Sequence, residues 1–197
     1  MKTIRTTIFL VILFLVISIP VIGQEGFAEK LSNAALQLTK QNVVYDPTYF
    51  KIKYPNGDVP SGKGVCTDVI IRAYRALEID LQKEVHEDMA SNFDKYPKTW
   101  GMKSTDKNID HRRVPNLMVF FAKFGKVKPM SKLASDYVPG DIVCWNLGGA
   151  ITHIGLVVNK KSTDGKRYLI VHNIGRGQVL EDCLFSYKII GHYSFGS

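Results

Sequence analysis

Residues 139–159, PGDIVCWNLGGAITHIGLVVN, decide the fold. Pro139-Gly140 forms a turn, and beyond it Asp141 to Trp145 and His153 to Asn159 read as strands. Arg167 to Asn173 and Lys188 to Phe195 continue the pattern. Short links between consecutive strands predict an antiparallel sheet. Upstream, the apolar residues recur at helical spacing instead. Phe27, Leu31, Ala34, Ala35 and Leu38 mark a first amphipathic helix, and Cys66 opens a second with Val69, Ala73 and Leu77 on one face. Val85, Met89 and Phe93 mark a third, stopped at Tyr96-Pro97. A fourth starts at Val114-Pro115, where proline is tolerated in the first turn, and ends at Gly125. Val43 to Lys63 is dense in turn formers and reads as irregular. Helices first and sheet second is an α+β arrangement. With no repeat, low-complexity tract or linker, the chain reads as one domain.

The N-terminus suggests a compartment. Lys2 and Arg5 precede an apolar run from Ile8 to Ile19, followed by Pro20-Val21-Ile22-Gly23-Gln24. These are the parts of a secretory signal peptide, expected to be cleaved after Gly23 and to leave 24–197 as the working domain of an exported, periplasmic or extracellular protein. The run is shorter than the about 20 residues a span requires, so a membrane is expected to be touched only if this segment is retained. The 197-residue chain carries a net charge of +8, and loss of Lys2 and Arg5 leaves +6. For an exported protein that charge points to wall carboxylates and phosphates or to lipid headgroups, not to nucleic acid; a merely soluble basic surface is the plain alternative. Three cysteines is an odd number for an oxidising compartment. If two join, Cys144 and Cys183 are the expected pair, leaving Cys66 free; the alternative makes both small buried apolar residues.

Cys66 lies where Gly62-Lys63-Gly64-Val65-Cys66-Thr67-Asp68 turns into a helix. A helix start favours thiolate over thiol, and an imidazole can take the proton and return it to a leaving group. His153 and His172 both fall on strands. Because side chains alternate, a hairpin loop with an even number of residues places both on one face. A loop of about four to six residues keeps them opposite or diagonal, within contact. Gly155, on the same face, is expected to leave room for the helix start.

The stretches Gly64 to Asp68, Asn108 to Leu117, Pro139 to Val143, Thr152 to Gly155 and Val171 to Gly175 resemble an exported bacterial family known as domain of unknown function 1287. The resemblance runs from about Leu36 to Tyr193. That family is in turn similar to the NlpC-type cell-wall cysteine peptidases of the papain-like superfamily. The resemblance implies an NlpC-like fold, with the nucleophile helix packed on the C-terminal antiparallel sheet, and catalytic roles for Cys66, His153 and His172. It also implies a substrate-binding tyrosine upstream, for which Tyr54 is the nearest candidate. The chain departs from the NlpC pattern around the cysteine, where Val65 and Thr67-Asp68 replace the usual Asp and Ser-Gly.

The expected function is therefore an exported thiol hydrolase, an amidase or peptidase. Cys66 attacks an amide carbonyl, His153 acts as base then acid, and His172 orients His153; peptidoglycan stem peptides are the expected substrate. Arg112 and Arg113 could hold a substrate carboxylate, or serve a structural salt bridge. No metal or cofactor is expected. Two rivals remain open: a non-catalytic cell-wall-binding module of the same fold, and a zinc site made by Cys66, His153 and His172. Asp141 is expected to tie down its own turn, and His192 to be structural.

Overall fold

The computed structural model describes residues 26–196. The expected signal peptide lies outside the described residues. Helix α1, Phe27–Leu38, buries Leu31, Ser32, Ala35 and Leu38. Two short strands, β1 (Val44–Tyr45) and β2 (Lys63–Gly64), pair in parallel across the turn-rich segment. Helix α2, Cys66–Arg75, follows β2 directly. Helix α3, Leu81–Ser91, is capped by the Asp80 carboxylate, which accepts from the Lys83 amide at 3.1 Å. It ends before the expected Phe93, which opens a separate 3₁₀ turn. Helix α4, Val114–Phe124, has proline in its first turn and stops at Gly125 as expected.

Six further strands form one antiparallel sheet: β3 (Lys126–Val127), β4 (Ile142–Gly148), β5 (Ile151–Lys161), β6 (Tyr168–His172), β7 (Val179–Glu181) and β8 (Lys188–Ser194), in the order β3-β8-β4-β5-β6-β7. The architecture is mixed α+β. All four helices supply the large core, into which one face of the sheet sends Ile142, Cys144, Ile154, Leu156, Val158 and Val171. The other face carries a smaller cluster of Tyr137, Val143, Trp145, Val157, Ile170, Cys183 and Leu184. Two polar ties lock the layers. The Asn159 amide donates to Ser32 Oγ at 2.8 Å, joining β5 to α1. Gln82 fastens the irregular segment to α3, accepting from the Gly57 amide at 2.7 Å and donating to the carbonyls of Lys53 and Lys107.

Asp141 accepts from the Val138 amide at 3.0 Å and so closes its turn, but it does more. It also meets Lys128 Nζ at 2.7 Å and His192 Nε2 at 2.8 Å, while His192 stacks on Tyr137. This network pins the loop between β3 and β4 to the sheet.

The three cysteines are free and buried. Cys144 and Cys183, the pair considered for a disulfide, are instead small buried residues on opposite faces of the sheet, Cys144 in the helix-side core and Cys183 in the smaller cluster. Among the described residues no helix is long and apolar enough to cross a membrane.

Candidate functional site

The start of α2 is built by residues the glycine approach brings together. Pairing of Gly64 with Tyr45 sets the tyrosine beside the helix start. A side chain at position 64 would meet Arg72 Nη1 and Asp68 Cβ at 3.2 Å, so glycine there permits the close packing. The Val65 amide donates to Asp68 Oδ2 at 2.7 Å, which satisfies one donor at the helix start. Arg112 grips the same carboxylate through two bonds, Nε to Oδ1 at 2.9 Å and Nη2 to Oδ2 at 3.0 Å, with both side chains buried.

Cys66 Sγ lies where backbone N–H groups of Ile154, Thr67 and Cys66 itself can stabilise negative charge on it. Burial nevertheless pushes the thiol up to about 12, and the Asp68 carboxylate adds to the rise. Cys66 borders a cleft of about 190 Å³. Tyr45 and Pro47 line this cleft with Trp100, Arg113 and Thr152. Trp100 is 59% exposed and its ring lies 4.6 Å from the Arg113 guanidinium. Its backbone is in the left-handed region, φ 67°, a strained conformation for so large a residue.

The histidines assemble elsewhere. Leu156 pairs with Val171 and Val157 with Ile170, across a six-residue loop, 162–167, so His172 falls opposite Gly155 and diagonal to His153. His153 Nε2 lies 2.8 Å from His172 Nδ1, and the expected one-face diagonal contact is present. His172 Nε2 lies in turn 2.8 Å from Glu181 Oε2 and 3.6 Å from Cys183 Sγ. Trp145 packs against the His153 ring at 5.8 Å. Burial drives His153 down to about 3, helped by the neighbouring His172. Burial also lowers His172, while the Glu181 carboxylate partly opposes that.

This relay occupies the smaller-cluster face, whereas Cys66 packs into the helix-side core against Ile154 and Cys144. The structure thus brings His153 and His172 together but sets Cys66 on the other side of β5. Among the described residues no hydrogen bond joins it to either ring. The role expected of Gly155 is corrected with it. A Cβ there would strike Ile170 Cγ2 at 2.6 Å and crowd His172 and Trp145 at 3.2 Å, so the missing side chain makes room for the sheet's own side chains, not for α2.

Other expected binding residues divide similarly. Tyr54 is away from the cleft, with its hydroxyl on Glu87 and its ring edge-on to His86; Tyr45 is the tyrosine beside Cys66. Arg112 borders the cleft, but its fork is taken by Asp68, which leaves Arg113 as the cleft cation. His111 is buried and lowered to about 3 by desolvation, with Arg112 adding to it. Trp100 and Glu181 were given no site role by the sequence, and Cys183 entered only as a possible disulfide partner or a small buried apolar residue. The glycines around Arg176 could have signalled the tight turn that brings Glu181 back to His172.

A family model described as Domain of unknown function (DUF1287) matches residues 32–195, and this chain belongs to that family. It is also 49% identical over 165 residues to Uncharacterized protein YijF of Escherichia coli (strain K12), covering 84% of this chain and 80% of that protein.

Proposed function

We propose that the protein is an exported binding module for anionic cell-wall peptide, with the Cys66–Trp100 cleft as its ligand site. The observation that carries this reading is the pairing of an exposed, strained aromatic with a cation at the rim of a cleft whose cysteine has, among the described residues, no imidazole partner. Trp100 offers the face not covered by Arg113 to a sugar or peptide plane, Tyr45 offers a hydroxyl, and Arg113, whose Nη1 meets the Met102 sulfur, offers its remaining N–H groups to a stem-peptide carboxylate. The net charge of the chain favours approach to an anionic polymer. A thiol near 12 is a packed side chain, not a nucleophile, at neutral pH. Titration of soluble wall peptides by calorimetry tests the reading. Arg113→Ala is expected to weaken binding by roughly 10- to 150-fold, the worth of a hydrogen bond to a charged group, and added salt to weaken it further. Unchanged affinity in both Arg113→Ala and Trp100→Ala would overturn it.

A second reading keeps the thiol hydrolase and its papain-like, NlpC-type fold. It is favoured by the three backbone N–H groups around Cys66 Sγ, a cradle suited to a thiolate or an oxyanion. In it the Cys66 sulfur attacks an amide carbonyl, the proton passes to His153, and His153 returns it to the leaving amine. This needs the first residues of β5 to turn over so that His153, adjoining Ile154, faces the cleft.

A further inference from the structure

We propose that His172 Nε2, Glu181 Oε2 and Cys183 Sγ form a three-ligand site for a zinc-like divalent cation. This does not rest on the cleft, which lies across the sheet. The three donor atoms all lie within 4.8 Å of one another, brought together by β6, the end of β7 and the turn after it. Nitrogen and sulfur ligands at about 2.0 and 2.3 Å around a tetrahedral ion stand about 3.5 Å apart. His172 Nε2 and Cys183 Sγ stand 3.6 Å apart. The 2.8 Å between Nε2 and Glu181 Oε2 is shorter than the about 3.4 Å that zinc wants, so the carboxylate must retreat by about half an ångström. Glu181 can do so: it ends the three-residue edge strand, and its side chain is one-third exposed.

The surroundings fit a ligand set. Imidazole, carboxylate and thiolate are all zinc donors, and three protein ligands leave one position open. His153 on Nδ1 fixes the ring of His172, as an outer partner of a metal-bound histidine does. Arg176 pairs with the remaining Glu181 oxygen and orients the carboxylate. On binding, Cys183 loses its thiol proton to solvent. The Nε2 lone pair of His172 turns to the ion, its ring proton then sits on Nδ1, and His153 Nε2 accepts that hydrogen bond. One proton leaves per ion bound, with no change of oxidation state. The site departs from the metal-free expectation for this chain, and its sulfur is Cys183 instead of Cys66.

Cobalt(II), a spectroscopic probe for zinc sites, added to chelator-treated full-length protein provides the test, with zinc affinity measured alongside. The expected result is one ion per chain and a sulfur-to-cobalt charge-transfer band that persists in Cys144→Ala and disappears in Cys183→Ala. His153→Ala keeps the band while zinc affinity falls by about 10- to 100-fold, as expected for a positioning residue. Glu181→Gln, at a partly exposed position, checks the site without relying on the fold of the cysteine variant; it should weaken zinc binding at least about 10-fold. Absence of the band in the wild type, or its full survival in Cys183→Ala, would overturn the proposal.

Discussion

Reaction of Cys66 with an aromatic disulfide reagent, followed by peptide mapping across a pH series, separates the two readings of the cleft. At pH 7.5 a thiol near 12 is ionised to about 3 parts in 100,000, against about one part in ten for a free cysteine near 8.5. The deficit is roughly 3,000-fold. A more basic thiolate is also a better nucleophile, and a Brønsted slope of 0.4–0.5 over that interval returns about 40-fold. Cys66 should therefore react roughly 50- to 120-fold more slowly than free cysteine, before any loss of access, and His153→Ala should leave the rate unchanged. The measurement requires only the intact protein and a thermal melt to show that the variant folds. A reaction at or above the free-thiol rate, with a midpoint well below about 8.5 that rises in His153→Ala, would refute the binding reading. It would establish an activated cysteine–histidine pair, the first requirement of the hydrolase reading.

Arg112→Ala removes the partner of a buried carboxylate, so it should cost about 3–5 kcal/mol in denaturant unfolding; a loss below about 1 kcal/mol would contradict the buried pair. His111 and His153 have folded-state values near 3, below the ordinary 6.5, so the unfolded chain binds more protons once the pH drops beneath about 6.5. Stability is fully present above that value and falls as the pH moves toward 3, by up to about 1.4 kcal/mol per pH unit for each ring. Urea unfolding at pH 7 and pH 5 reads this loss, and His111→Gln should reduce it. Gly155→Ala forces a methyl against Ile170, so destabilisation of about 1–3 kcal/mol is expected by thermal melt with the sheet otherwise intact.

The helices were legible because their apolar spacing is strong, and the α4 start because Pro115 marks it. The diagonal contact of His153 and His172 was also legible, since alternation and loop parity fix relative faces. What alternation alone leaves open is which face the helices cover. The two sets of side chains on β5 supply the answer: Ile154, Leu156 and Val158 present more apolar bulk than His153, Gly155 and Val157, so the first set takes the helical core. Cys66 goes with it. Strand β7 was missed because three residues between a glycine-rich turn and the irregular segment 182–187 carry almost no periodic signal. Gln82 was missed because its work is done across 25 and 29 residues of chain, through backbone groups that have no side-chain signature.

The strand order has a consequence for how copies of the chain behave when crowded. The eleven-residue β5 is interior, hydrogen-bonded on both sides, while the two margins of the sheet are β3 with two residues and β7 with three. Open margins of that length offer little template for strand addition, and Lys126 sits on one of them. Copies of the chain brought close together therefore find little backbone edge on the main sheet to pair through, and meet chiefly through side chains.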